Sequence, residues 1–115
     1  MNVTFKNKKL EKSFNEGRRL DATHGKKRAK KIRLRMSEFQ AAESLIDFWS
    51  PKSPPGRCHE LTEGKRHGQL SVDLDPPYRL IFVPDHNPTP VKSDGGLDWE
   101  QVTVIKIIGV EDTHG

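Results

Sequence analysis

Apolar residues along this chain recur first at helical spacing and then at strand spacing. Val3 and Phe5 alternate with polar neighbours and predict a short strand at 2–5. Leu10 and Phe14 stand at i, i+4 and predict a short helix over 8–14. Gly17 and Gly25 bracket a stretch where helix is allowed, with a break before Lys26. The clearest element is a helix over 26–43. Ala29, Ile32, Met36 and Phe39 form one apolar stripe there, and Leu45, Ile46 and Phe48 extend it. Lys26, Lys27, Lys30, Lys31, Arg33 and Arg35 are assigned to the opposite, solvated face.

Pro51, Pro54, Pro55 and Gly56 end the helical half. From there the pattern is β. A short strand is predicted at 59–61, a turn at 64–68, and an alternating strand at 69–74 with Leu70, Val72 and Leu74 inward. Asp75-Pro76-Pro77 is a turn that no central strand could contain, and 78–83 is the next strand. Residues 84–96 are rich in Pro and Gly and read as an exposed loop. The run 102–110 is the most apolar in the chain and predicts a central strand covered on both faces. A strand, then helices, then an antiparallel sheet is an α+β layout, with the amino-terminal strand and helices on one face of the sheet. The 115 residues are read as one domain, 1–115.

Charge changes this picture. Residues 1–35 hold thirteen Lys/Arg against three acids, a formal +10, while 36–115 hold seven against thirteen, a formal −6. So basic a half suits an anionic partner, and nucleic acid is the commonest; the alternative is a helix face that is merely solvated. The single cysteine, Cys58, excludes an internal disulfide. No stretch approaches the roughly 20 apolar residues of a membrane span. The start of the chain has no apolar signal region, so a cytoplasmic protein without membrane contact is expected.

The chemistry must come from single side chains. No glycine-rich phosphate loop, paired-cysteine metal site or nucleophile-elbow serine is present. His, Asp, Arg and Lys remain, an inventory suited to acid–base work on a phosphodiester. His59 follows Gly56-Arg57-Cys58 where the β half begins. Arg79 stands inside the apolar strand Tyr78-Arg79-Leu80-Ile81-Phe82, where a charge either points out to hold a phosphate or is buried in an ion pair. His114 is penultimate, and its nearness to the 102–110 strand offers it support against fraying. His24, His67 and His86 fall at helix ends or in turns and receive no role.

Four ordered segments carry a family likeness: Pro55-Gly56-Arg57-Cys58-His59-Glu60-Leu61, Gly64-Lys65-Arg66-His67-Gly68-Gln69-Leu70-Ser71-Val72, Tyr78-Arg79-Leu80-Ile81-Phe82 and Val110-Glu111-Asp112-Thr113-His114. Together with Lys9-Leu10-Glu11-Lys12 and Arg28-Ala29-Lys30-Lys31-Ile32-Arg33, they resemble HigB-type toxins of the RelE/ParE superfamily. The branch is the one called "killer protein" or "killer suppression protein". The resemblance implies a RelE/ParE-like fold and a type II toxin that enters the ribosome and cuts the mRNA displayed there. In that reaction the 2′-hydroxyl attacks the adjacent phosphorus without metal or cofactor. It also implies a helix-turn-helix, HigA-like antitoxin as partner.

Position by position, the resemblance assigns catalysis to His59, Arg79, Asp112 and His114, with Thr113 a further candidate. RNA phosphates fall to Lys26, Lys27, Lys30, Lys31, Arg57, Lys65 and Arg66. The family tail reads Asp-Tyr-His, so Thr113 departs from it, and a lost ring removes roughly 1–3 kcal/mol of base stacking. The loop at 84–96 also exceeds the short hairpin of compact members. Two other readings stay open, a ParE-type gyrase inhibitor and a degenerate toxin that only binds its antitoxin.

Overall fold

A computed structural model describes residues 1–112. Strand β1 (Asn2–Phe5) leads into helices α1 (Lys8–Asn15), α2 (Gly17–His24) and α3 (Lys26–Ala41), then a 3₁₀ turn at Leu45–Phe48. Strands β2 (His59–Leu61), β3 (Gln69–Asp73), β4 (Tyr78–Pro84) and β5 (Val104–Asp112) follow. They form one sheet in the order β1-β5-β4-β3-β2. This is the expected α+β class. Four strands pair antiparallel, but β1 lies parallel to β5. The sheet is therefore mixed and not wholly antiparallel, because β1 reaches its edge through the helical layer and not through a hairpin.

The helices start and stop for local reasons. The Asn7 side chain accepts the Leu10 N–H at 2.8 Å and caps α1. Gly25, at φ 80°, both ends α2 and precedes α3, a conformation that favours glycine. The third helix ends at Ala41, earlier than the stripe suggested. Ala42 turns extended, and the Leu45 N–H is captured by the Val102 carbonyl at 2.9 Å, so Leu45 packs as a separate turn.

Leu20, Ala29, Ile32 and Phe39 from the helices meet Leu70, Val72, Leu80, Phe82, Ile105 and Ile107 from the sheet in one core. Phe39 contacts Phe82 edge-to-face at 5.0 Å and Phe48 at 5.5 Å. β5 is interior to the sheet, yet only Ile105 and Ile107 are buried along it; Val104, Lys106 and Ile108 are half-buried. The apolar run is fully covered on the helical face alone, which corrects the expectation of cover on both faces. The 84–96 excursion is largely exposed and closed on itself by a Val91–Leu97 bridge. His86 ties it to β5, accepting the Thr103 and Val104 N–H groups at 3.1 and 3.3 Å. No helix among the described residues is long and apolar enough to cross a membrane.

Arg35 is the clearest correction to the helix reading. It was assigned to the solvated face but is buried at 5% exposure. Its Nε donates to the Asp73 carbonyl at 2.7 Å, Nη2 to the Pro55 carbonyl at 3.2 Å, and Nη1 to Glu38 at 2.9 Å. The position is i+3 from Ile32 and i−4 from Phe39, so helix geometry puts it on the inner stripe. Its planar fork satisfies three acceptors that would otherwise be left without it.

Arg35→Met should therefore lower the unfolding free energy by about 2–4 kcal/mol, since the Asp73 and Pro55 carbonyls and the Glu38 carboxylate lose a shared donor. Arg35→Lys should recover less than half of this loss. Urea denaturation of the two variants checks both statements.

Candidate functional site

Alternation along β3 and β4 builds the site. Leu70 and Val72 point to the helices, so Ser71 and Asp73 point to the second face, and Arg79 does the same between Tyr78 and Leu80. Register sets His59 beside Ser71 and Arg79 beside Asp73 and Glu111. The strand rule thus converts scattered polar residues into one cluster.

His59 is held from both sides. Its Nδ1 lies 2.8 Å from the Arg57 carbonyl, which can only accept, so Nδ1 carries the proton. Its Nε2 then presents a lone pair to Arg79 Nη1 at 3.1 Å. The imidazole is neutral in this arrangement, with its acceptor nitrogen on the guanidinium. The same Nη1 donates to Ser71 Oγ at 3.1 Å, and Nη2 stands 3.5 Å from Asp73 Oδ1. Asp73 also receives Arg57 at 3.4 Å. Arg79 is thus ion-paired with Asp73 on the outward face of the sheet and also contacts His59.

The backbone that delivers His59 is constrained. Lys52 and Arg57, at φ 65° and 51°, are non-glycine residues in the left-handed region. The Lys52 N–H bonds to the Cys58 carbonyl at 3.0 Å, and the Asp73 N–H to the Gly56 carbonyl at 2.7 Å. His59 and Arg79 line an open cleft of about 580 Å³ with Lys52 and Arg66 among the other walls. Arg66 forms a two-bond pair with Glu111 at 2.9 and 3.2 Å, and this hydrogen bonding raises the guanidinium pKa above its ordinary value. The chemistry on offer is a neutral proton acceptor beside a fixed cation, with more cations on the rim.

The other sequence candidates divide. Arg57 and Arg66 join the cluster, and Lys65 is exposed on the short turn that carries Arg66. Lys26, Lys27 and Lys30 are exposed and Lys31 half-buried on α3, across the sheet from His59 and Arg79. Asp112 pairs in register with Tyr78, one residue beyond Glu111, and so belongs to the helical face and not to the Arg79 face. Thr113 and His114 lie outside the described residues. Ser71, Asp73 and Glu111 were not singled out from sequence. Gln69, Ser71 and Asp73 are the outward positions of the same alternation that marked Leu70 and Val72 as inward, so the signal was present. Among the described residues no group of His, Cys, Asp and Glu is placed to hold a metal ion.

Cys58 sits next to His59 but is 1% exposed. Burial, reinforced by the Glu60 charge, pushes its thiol up to about 12.

Two solved structures are similar to this chain. The YoeB–YefM complex from Staphylococcus aureus aligns at TM-score 0.51 and 18% identity over 96% of this chain and 94% of that one. The YoeB dimer from Staphylococcus aureus aligns at TM-score 0.48 and 19% identity over 95% and 92%. The first likeness identifies the fold as YoeB/RelE-like. No family model and no curated protein matches the sequence.

The folded thiol pKa lies above its ordinary value of 9.0, so this contribution to stability is complete below pH 9 and is lost as pH rises towards 12. Cys58→Ala should flatten that alkaline decline in a series of urea melts. The native thiol should also resist iodoacetamide at pH 8 and react once the chain is unfolded.

Proposed function

We propose that this chain is the toxin of a type II toxin–antitoxin pair and cuts messenger RNA on the ribosome. The observation that carries the reading is the His59–Arg79 contact: a neutral imidazole and a guanidinium share one open cleft. The YoeB/RelE-like fold and the ordered HigB-like segments agree with it.

In the proposed reaction the 2′-hydroxyl of the RNA attacks the adjacent phosphorus. The bond from phosphorus to the 5′-oxygen breaks, leaving a 2′,3′-cyclic phosphate and a 5′-hydroxyl. One proton leaves the 2′-oxygen and one reaches the 5′-oxygen. His59, with Nδ1 anchored on the Arg57 carbonyl and Nε2 open as acceptor, suits one of these transfers. The other transfer falls to His114, and Asp112, whose register puts it on the face away from Arg79, is given no step. Arg79 turns its Nη1 from His59 to a non-bridging oxygen and stabilises the charge that builds there. Ser71 and Asp73 hold the guanidinium in place during this switch.

Substrate binding rests on the remaining cations. Arg57 and Arg66 exchange a carboxylate partner for an RNA phosphate, with Lys65 beside them. The lysines of α3 reach ribosomal RNA on the other side of the molecule. A helix-turn-helix antitoxin silences the toxin; the YoeB–YefM complex shows a chain of this fold with a protein partner.

Arg79→Ala and His59→Gln should each lower mRNA cleavage by about 10²–10⁴-fold and relieve growth arrest, with melting temperature little changed. Primer extension on a message translated in a cell-free system reads the cut directly. Full cleavage by both variants would sink the assignment. Trapped DNA cleavage complexes alongside intact message would replace it with gyrase poisoning.

A further inference from the structure

Trp49 is a large aromatic side chain left 55% exposed, although Trp99 beside it is 3% exposed. The two rings meet edge-to-face at 5.1 Å, so Trp49 is buttressed while one surface stays open. Its N–H is bonded to the Ile46 carbonyl at 3.0 Å, which fixes its backbone. The indole of Trp99 in turn donates to Glu60 at 3.4 Å, and Glu60 borders the cleft that holds His59 and Arg79. From Trp49 the chain runs directly to Pro51 and Lys52 on the rim of that cleft. The nearby carboxylate of Asp47 is occupied by the Glu43 N–H at 2.9 Å.

We propose that Trp49 and Lys52 form a docking platform for single-stranded RNA beside the cleft, Trp49 stacking on a base and Lys52 holding a phosphate. The ring offers the area of one base. An exposed patch of Trp49 and its neighbour Ile46 falls well short of the roughly 800 Å² per partner of a standard protein interface. Charge agrees, since Lys52, Arg66 and Arg79 outnumber Glu60 and Glu63 along the adjoining cleft. Stacking tolerates any base, so the platform adds affinity and position without setting sequence preference.

The inference rests on the nuclease reading for the choice of RNA as ligand, and its test separates the two. The probe is a short all-2′-O-methyl RNA, which transesterification cannot cut, followed by anisotropy and by tryptophan emission. Wild-type protein should bind it with quenching of the exposed tryptophan. Trp49→Ala should weaken binding roughly five- to a hundredfold, and Trp49→Phe should restore most of that. Lys52→Gln should lower the salt slope by about one. Unchanged affinity in Trp49→Ala, or no binding by the wild type at low salt, overturns the proposal. So does a Trp49→Ala variant that binds RNA normally and fails only to retain a protein partner. If the probe binds through Trp49 but translated message stays whole, the platform stands and the nuclease reading falls.

Discussion

The buried guanidinium of Arg35 sits where the helical layer meets the end of β3, and the site is arranged around it. One of its bonds goes to the Asp73 carbonyl, whose side chain aligns Arg79 and Arg57. Another goes to the Pro55 carbonyl, at the head of the segment that delivers Arg57 and His59. Gly56 packs against the same side chain, where an added Cβ would stand 3.4 Å from Arg35 Nε. A charge in an apolar setting is costly unless its donors are used, and here the donors join three separate pieces of chain. The core thereby sets the spacing of groups on the far face of the sheet.

That face works by alternation of sign. The row Arg57–Asp73–Arg79 and the pair Arg66–Glu111 keep cations close without leaving them uncompensated. Carboxylates in these positions resemble the phosphates a nucleic acid would bring, since both accept the guanidinium fork. An RNA ligand would thus exchange one anion for another and would not need to create the site. The charge asymmetry of the sequence is partly dissolved in the same way: Arg28 of α3 crosses to Asp75 at 3.0 Å and covers the Tyr78 ring. The α3 lysines remain as a separate basic surface.

The legibility of the molecule follows the range of the forces involved. Helix and strand periods placed β1, α1 and α3, allowed helix at 17–25 without fixing α2, located the four later strands within two residues of their observed ends, and marked the core positions Ile32, Phe39, Leu70 and Val72. Those signals are local, because each depends on neighbours a few positions away. His59 and Arg79 were legible as unusual residues at particular strand positions. Their contact was not, because it joins residues 20 apart through the pairing of three strands.

By itself, then, the sequence determined the α+β order, the inward and outward sets of β1 and β3, and a chemical inventory of histidine and arginine suited to a phosphodiester. Tertiary structure alone decided which of the outward residues meet. It drew Arg35 into the core, since only the folded chain offers carbonyls for its fork. It turned β1 parallel against β5, separated Asp112 from the Arg79 face by one step of register, and left Trp49 open beside Trp99. Each of these outcomes depends on partners far apart in the chain, and no period or local composition encodes a partner at that distance.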